Sequence, residues 1–331
     1  PASASGRSES RARPSSSRVF QETTATATAA GGRGSGMRRK GSLRPVTWPT
    51  ISVVVPVRDG AGRLALLIDG LDRQTLPPER FEVVVVDNGS RDGAAAEVAR
   101  RAGAVVVREA WANRALARNR GVDVARAELI AFTDGDCLVE PGWLAALVAG
   151  LDRAPLVAGP VRLDVGAPPS RCERLELLWR FAQEENVRDH GWAASANLAV
   201  RREAFAAIGG FDPGYRQIGE DVDLCLRARA AGYALAYCPD AVVRHAAETG
   251  LGPILRRAFR HGFSSTQHVR RLPMAVGWRY WRHPRPALAG DWALRRFGPD
   301  AVAEVDLLGL ARAEYAARVA GSAWAEVTRV R

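Results

Sequence analysis

Two aspartates flank one glycine in Asp134-Gly135-Asp136, directly after the apolar run Leu129-Ile130-Ala131-Phe132-Thr133. Carboxylates so spaced can face one hard divalent cation, which takes their oxygens together with diphosphate oxygens and water. Alone the pattern is also that of a solvated loop; its place after a buried strand is what singles it out. Glu220-Asp221-Val222-Asp223 puts three carboxylates in four positions. Acids favour a helix start, but three exceed what capping needs, and one held near a reacting centre can draw a proton from a hydroxyl. His245 ends Val242-Val243-Arg244-His245, where a neutral imidazole completes a metal site or merely packs. Asp87-Asn88-Gly89-Ser90 and Pro56-Val57-Arg58-Asp59 each follow a valine run. A carboxylate there accepts hydrogen bonds from a base N–H or a ribose hydroxyl, and Asp-Asn-Gly-Ser is equally an ordinary turn.

These groups need a scaffold that brings strand ends together. Short β-branched runs are expected as strands at Ile51–Val55, Val83–Val86, Val105–Val107, Leu129–Thr133, Asn197–Val200, Ala234–Tyr237 and Val242–His245. Helices are expected between them, around Leu64–Leu71, Ala94–Arg101, Ala115–Ala125, Pro141–Leu151, Cys172–Phe181 and Asp221–Ala231, with a short one ending at Gly209-Gly210. Such alternation predicts an α/β fold with a mainly parallel sheet covered on both faces. Ligands bind such sheets beyond the carboxyl ends of the strands, where the acids above fall.

Composition bounds the partners. The 331 residues carry a net charge of +11, yet residues 1–46 hold nine basic and two acidic groups, residues 47–243 hold 23 and 27, and residues 244–331 hold 15 and seven. The motif-bearing middle is mildly acidic, which argues against a nucleic-acid partner. No run approaches the roughly 18 uncharged apolar residues of a spanning helix. Cys137, Cys172, Cys225 and Cys238 show no CxxC pair and are read as reduced thiols. The expected organisation is a disordered tail over 1–46, with Met37 as the natural start, a catalytic domain over 47–249 and a helical extension over 250–331. In that extension Ile254, Leu255, Ala258 and Phe259 share one helix face and Arg256, Arg257 and Arg260 the other, a pattern of packed helices and of helices resting on anionic membranes.

Taken in order, these motifs resemble glycosyltransferase family 2, the inverting enzymes of GT-A fold, over about Pro49–His245. The resemblance adds Ala117-Arg118-Asn119-Arg120-Gly121, similar to the family's A-R-N-x-G stretch. It implies transfer of a sugar from a nucleoside-diphosphate donor to a small-molecule or lipid-linked hydroxyl acceptor, with Mn2+ or Mg2+. Pro56, Arg58, Asp59, Asp87, Asn88, Arg118, Asn119, Asp134, Asp136 and Asn197 would bind the donor, usually a uridine nucleotide. Asp136 and His245 would hold the metal, and Asp221, with Glu220 beside it, would act as base. Trp192, in Gly191–Asn197, would stack on a sugar face or pack in the core. Arg58-Asp59 stands where many members carry Tyr-Asn, so a guanidinium face replaces ring stacking on the base or stacking is lost. The processive Q-x-x-R-W signature is absent, which favours transfer of one sugar. A silent nucleotide-sugar-binding protein would be expected to lack Asp136 or Asp221; both are present. The reduced thiols suit the cytoplasm, and the basic C-terminal region is expected to allow peripheral contact at the inner membrane face.

Overall fold

A computed structural model describes residues 48–271, apart from 92, 180, 216 and 217, together with 313 and 316–324. All of these belong to the unit Val46–Arg331. The tail expected over 1–46 and much of the extension expected over 250–331 lie outside the described residues.

Residues 51–57, Ile-Ser-Val-Val-Val-Pro-Val, form β1 (Ile51–Val57), and β2 (Phe81–Asp87), β3 (Val105–Arg108) and β4 (Leu129–Phe132) run parallel to it. The chain continues through β5 (Cys137–Val139), β6 (Leu156–Ala158), β7 (Val161–Asp164), β8 (Leu198–Arg201), β9 (Leu235–Tyr237) and β10 (Val243–Ala246). Seven strands make one sheet in the order β3-β2-β1-β4-β8-β6-β9, in which β8 runs against both of its neighbours. The carboxyl ends of β1, β2 and β4 therefore share an edge with the residues entering β8. A second sheet, β5-β10-β7, pairs His245 with Cys137. The short strands β5, β6 and β7 were not expected; three or four residues show no usable period.

The intervening helices are α1 (Ala61–Asp72), α2 (Ala94–Arg101), α3 (Arg114–Val124), α4 (Trp143–Leu151), α5 (Arg171–Trp179), α6 (Gln183–Glu185), α7 (Arg202–Ala207), α8 (Glu220–Ala230) and α9 (Leu251–Arg271). The two-residue period of β1 divides the core. Ile51, Val53 and Val55 pack with Leu64 and Leu67 of α1 and Trp143 and Leu147 of α4. Val54 faces the other way, toward Ala117 and Val122 of α3 and Leu224 and Ala228 of α8. A Cβ at Gly121 would stand 2.3 Å from Val54 Cγ1, so only glycine lets α3 lie this close to β1. That approach carries Arg118, one turn earlier, in among the strand ends.

Candidate active site

Each acid is held by the element that precedes it. Val57 pairs with Asp87 across β1 and β2, so both reach the same edge. Asp87 is 7% exposed; its Oδ1 accepts the Ser90 N–H at 2.8 Å, while among the described residues Oδ2 has Arg108 Nε at 3.9 Å. Asp59 adopts φ 58° and donates its N–H to Ser90 Oγ, and its own Oδ1 accepts the Arg91 N–H. The loops after β1 and β2 are thereby tied into one rim. Asn88 Oδ1 accepts the Asn113 N–H at 3.0 Å, and Asn113 Oδ1 caps α3 by accepting from Ala115 and Leu116. Asn113 was not foreseen, although an asparagine ahead of a helix is a good cap signal. Pro56 is half-buried at the end of β1, and Arg58 is exposed.

Arg118 is the hub. Its side chain is 1% exposed, with Nη1 donating to Glu220 Oε1 at 2.7 Å and Nη2 to Asp134 Oδ1 at 2.9 Å. Its plane also lies over Phe211, 5.5 Å from the ring centroid. Burial acts to strip its proton, but Asp134, Glu220 and Asp221 outweigh that and raise its pKa. Glu220 is pushed up by burial and by the adjacent Asp221, against the pull of Arg118 and Arg114. Being 3% exposed and spent on Arg118, Glu220 positions its neighbours and does not face the site as the sequence reading had it.

Asp221 turns the other way and is half-buried. Its Oδ1 accepts the Val222 N–H at 2.9 Å; Oδ2 accepts the Ser195 N–H at 3.1 Å and faces the Ser195 hydroxyl at 3.4 Å. Ser195 lies just ahead of β8, whose reversed direction delivers it to this edge. No pattern in its alanine-rich surroundings singles it out.

The aspartate pair sits against β1: a Cβ at Gly135 would stand 2.7 Å from Val57 Cγ2. Beyond it, pairing of β10 with β5 sets His245 Nε2 3.4 Å from Asp136 Oδ1. His245 Nδ1 is 2.7 Å from the Ala246 carbonyl, which can only accept, so Nδ1 carries the proton. In the neutral ring the Nε2 lone pair then faces a carboxylate oxygen. Two donors sharing a cation at about 2.1 Å and a right angle stand about 3.0 Å apart, close to the spacing found. The donor atoms of Asp136, Cys137 and His245 all lie within 4.8 Å of one another. Burial and the nearby acids Asp134 and Asp136 push the Cys137 thiol far up, and a hard cation prefers the carboxylate of Asp136 and the imidazole of His245 to a thiol. Burial raises the Asp136 pKa, but when the imidazole is protonated its hydrogen bond and charge, helped by Arg63, prevail and lower it to about 2. These residues fit a divalent cation.

Two further expectations, at Asn197 and Asn119, are corrected. Asn197 is fully buried: its Oδ1 accepts from Trp143 Nε1, and its Nδ2 donates to the Pro160 and Ala241 carbonyls. Sealed from solvent and with both amide N–H groups donating to backbone carbonyls, it braces the sheet. Asn119 spends its amide on both backbone groups of Phe211, which fixes the segment leading into α8. On α9, Ile254 and Ala258 are buried as the packed-helix pattern expects, while Arg257, placed on the basic face in the sequence, turns inward to pair with Glu176 of α5. Trp192 is half-buried against the α3 and α8 side of the core. No described helix is long and apolar enough to cross a membrane.

Residues 52–209 match the family model for glycosyl transferase family 2. Glycosyltransferase AglE of Haloferax volcanii is 31% identical over 232 residues, 67% of this chain and 74% of that protein. A pre-mycofactocin glycosyltransferase of Mycobacterium tuberculosis is 33% identical over 242 residues, 69% of this chain and half of that protein. Among solved structures, the mannosyltransferase PcManGT from Pyrobaculum calidifontis, in complex with GDP-Man and Mn2+, superposes with a TM-score of 0.57 at 21% identity, covering 83% of this chain and 88% of that one. The likeness is one of fold.

Proposed function

Because the chain belongs to glycosyl transferase family 2, with a GT-A fold and a nucleotide-sugar donor, we propose that it moves a single sugar to a hydroxyl acceptor in one displacement that inverts the anomeric centre. The observation that carries this reading is Asp221, a half-buried carboxylate whose orientation is fixed by Ser195 and Val222 and which stands beside the Arg118 hub. With both oxygens anchored by N–H donors, it keeps one direction open for the proton of an attacking hydroxyl.

The donor lies across the strand ends in this reading. Asp87 Oδ2, which faces Arg108 Nε only at 3.9 Å, accepts from the base, which we take to be uracil, and the exposed guanidinium of Arg58 offers the face on which it rests. Asp134, held by Arg118, faces the ribose and sugar. Asp136 and His245 would hold the divalent cation, Mn2+ or Mg2+, which when bound neutralises charge growing on the departing diphosphate. Glu220 and Arg118 keep Asp134 and Asp221 apart and oriented. Trp192 serves as a packing residue that borders the acceptor side. The acceptor is a small molecule or a lipid-linked hydroxyl, and the four unpaired thiols favour the cytoplasm as the place of reaction. Incubating the protein and Mn2+ with a panel of UDP-, GDP- and dTDP-sugars and reading released nucleoside diphosphate tests the reading. Release from one donor class supports it, and release from none contradicts it.

A further inference from the structure

Asp136 with His245 makes one side of the site and Asp221 with Ser195 the other, and the short run Phe181-Ala182-Gln183 touches the supports of both. Phe181 follows α5 and packs its ring on the His245 imidazole, with centroids 5.3 Å apart and planes tilted by 44°. Its backbone has φ 55°, a left-handed conformation that a bulky side chain rarely adopts. Such strain persists only where the surroundings impose it. Close packing alone does not impose it here, since Phe181 also lines a cavity of about 170 Å3 with Val161, Gln183 and Tyr237.

The hold comes from Gln183, which opens α6. Its N–H donates to the Phe181 carbonyl at 2.6 Å, and Ala182 between them, at φ −68° and ψ 57°, completes an inverse γ-turn. Gln183 is 2% exposed, and its side chain clasps both backbone groups of Ala194: Oε1 accepts the Ala194 N–H at 2.9 Å, and Nε2 donates to the Ala194 carbonyl at 3.1 Å. Nε2 also donates to the Asn197 carbonyl at 3.3 Å. A buried amide needs such partners, and these lie on the segment that presents Ser195. Ala194 directly precedes Ser195, whose N–H holds Asp221 Oδ2. A path of direct contacts thus runs from His245 through Phe181, Gln183 and Ala194 to Asp221.

We propose that Phe181 and Gln183 are positioning residues that set the metal ligand and the base at a fixed separation, the ring turning His245 Nε2 toward Asp136 and the amide holding Ser195 on Asp221. The inference rests on the transferase reading above, since it concerns the same site. Electron paramagnetic resonance of free Mn2+, with UDP or GDP present, reads the His245 contact without turnover. Phe181→Leu keeps apolar bulk but loses the ring face, and is expected to weaken Mn2+ binding by about 10-fold, as loss of a group that orients a ligand does. Phe181→Tyr should bind Mn2+ as the wild type does. A residue that merely filled the core would make these two variants alike. Gln183→Met is close to isosteric, removes the three side-chain hydrogen bonds and alters no atom of Asp136, His245 or Asp221. It is expected to weaken Mn2+ binding as well, by way of Phe181. At saturating Mn2+ it should slow release of nucleoside diphosphate from the panel of sugar nucleotides by about 10-fold or more, the scale on which a displaced catalytic group acts. Urea midpoints report folding, and the half-buried Phe181 keeps the test decisive even where Gln183→Met does not fold. No Mn2+ binding by the wild type, unchanged Mn2+ affinity in Phe181→Leu or in folded Gln183→Met, or equal losses in the two Phe181 variants would each overturn the proposal. Mn2+ affinities that respond as expected in a protein that releases no nucleoside diphosphate from any sugar nucleotide would fault the transferase reading alone.

Discussion

Arg118 and Glu220 meet at 2.7 Å across 102 residues of sequence, and the other arm of the same guanidinium grips Asp134 at 2.9 Å. One buried cation thus joins the aspartate pair after β4 to the acids that open α8. Neither motif could hold its place by itself, because the buried Glu220 would be left without a counter-charge.

Replacing Arg118 should therefore affect both fold and chemistry. Arg118→Met is expected to lower the unfolding free energy by about 3–5 kcal/mol, the usual consequence of stranding a buried charge. Arg118→Lys should retain more stability but lose turnover, since a point charge cannot bridge two carboxylates in fixed directions. Urea denaturation beside donor turnover measures the two effects separately.

Removing His245 should weaken the metal specifically. In His245→Ala the affinity for Mn2+ in the presence of a nucleoside diphosphate is expected to fall by about 10-fold or more, the scale on which metal sites respond to loss of a supporting group. Electron paramagnetic resonance of free Mn2+ gives the number directly. Unchanged affinity would remove His245 from the ligand set.

At Gly135 the test is a pair of substitutions. A Cβ there would meet Val57 Cγ2 at 2.7 Å, so Gly135→Ala should cost about 1–3 kcal/mol of stability through overpacking and displace Asp134 and Asp136. Adding Val57→Ala should restore much of the nucleotide affinity. Failure of that rescue, with the single variant impaired, would mean the glycine is needed for another reason.

Away from the site, Glu82 provides a pH-dependent brace. Burial raises its pKa, but hydrogen bonds from Ser52 and Arg126 more than reverse this and hold it below its ordinary 4.5. A carboxyl lowered on folding stabilises above its unfolded pKa and loses that contribution as pH falls through the folded value. Wild type should exceed Glu82→Gln by about 1–3 kcal/mol at pH 7, with the gap closing below about pH 4.5. Urea midpoints between pH 7 and 3 would reveal it.

The long valine strands were legible because their runs are buried on both faces, and the acids were legible because they follow those runs. The expected strand Val83–Val86 gains residues at both ends since β2 pairs with β1 over its full length, from Ile51 opposite Phe81 to Val57 opposite Asp87. What escaped was set by contacts distant in sequence. The Leu156–Ala158 strand is three residues long and is defined by its pairing with β8 and β9. Asn197 is a donor-binding residue in what the resemblance implies, yet the Trp143 indole and two carbonyls engage it in the core. Arg118 sat in a recognisable stretch, but that it cross-links two motifs follows only from the close approach of α3 at Gly121.

The account turns on Asp221, and single-turnover transfer from the donor identified by the screen, read beside donor binding by calorimetry, probes it most directly. Asp221→Asn should slow transfer by about 10²–10⁴-fold, the range attributed to a general base, while the donor binds as in wild type and Ser195 still meets the side chain. Transfer at the wild-type rate in Asp221→Asn would contradict the account and move the proton to another group.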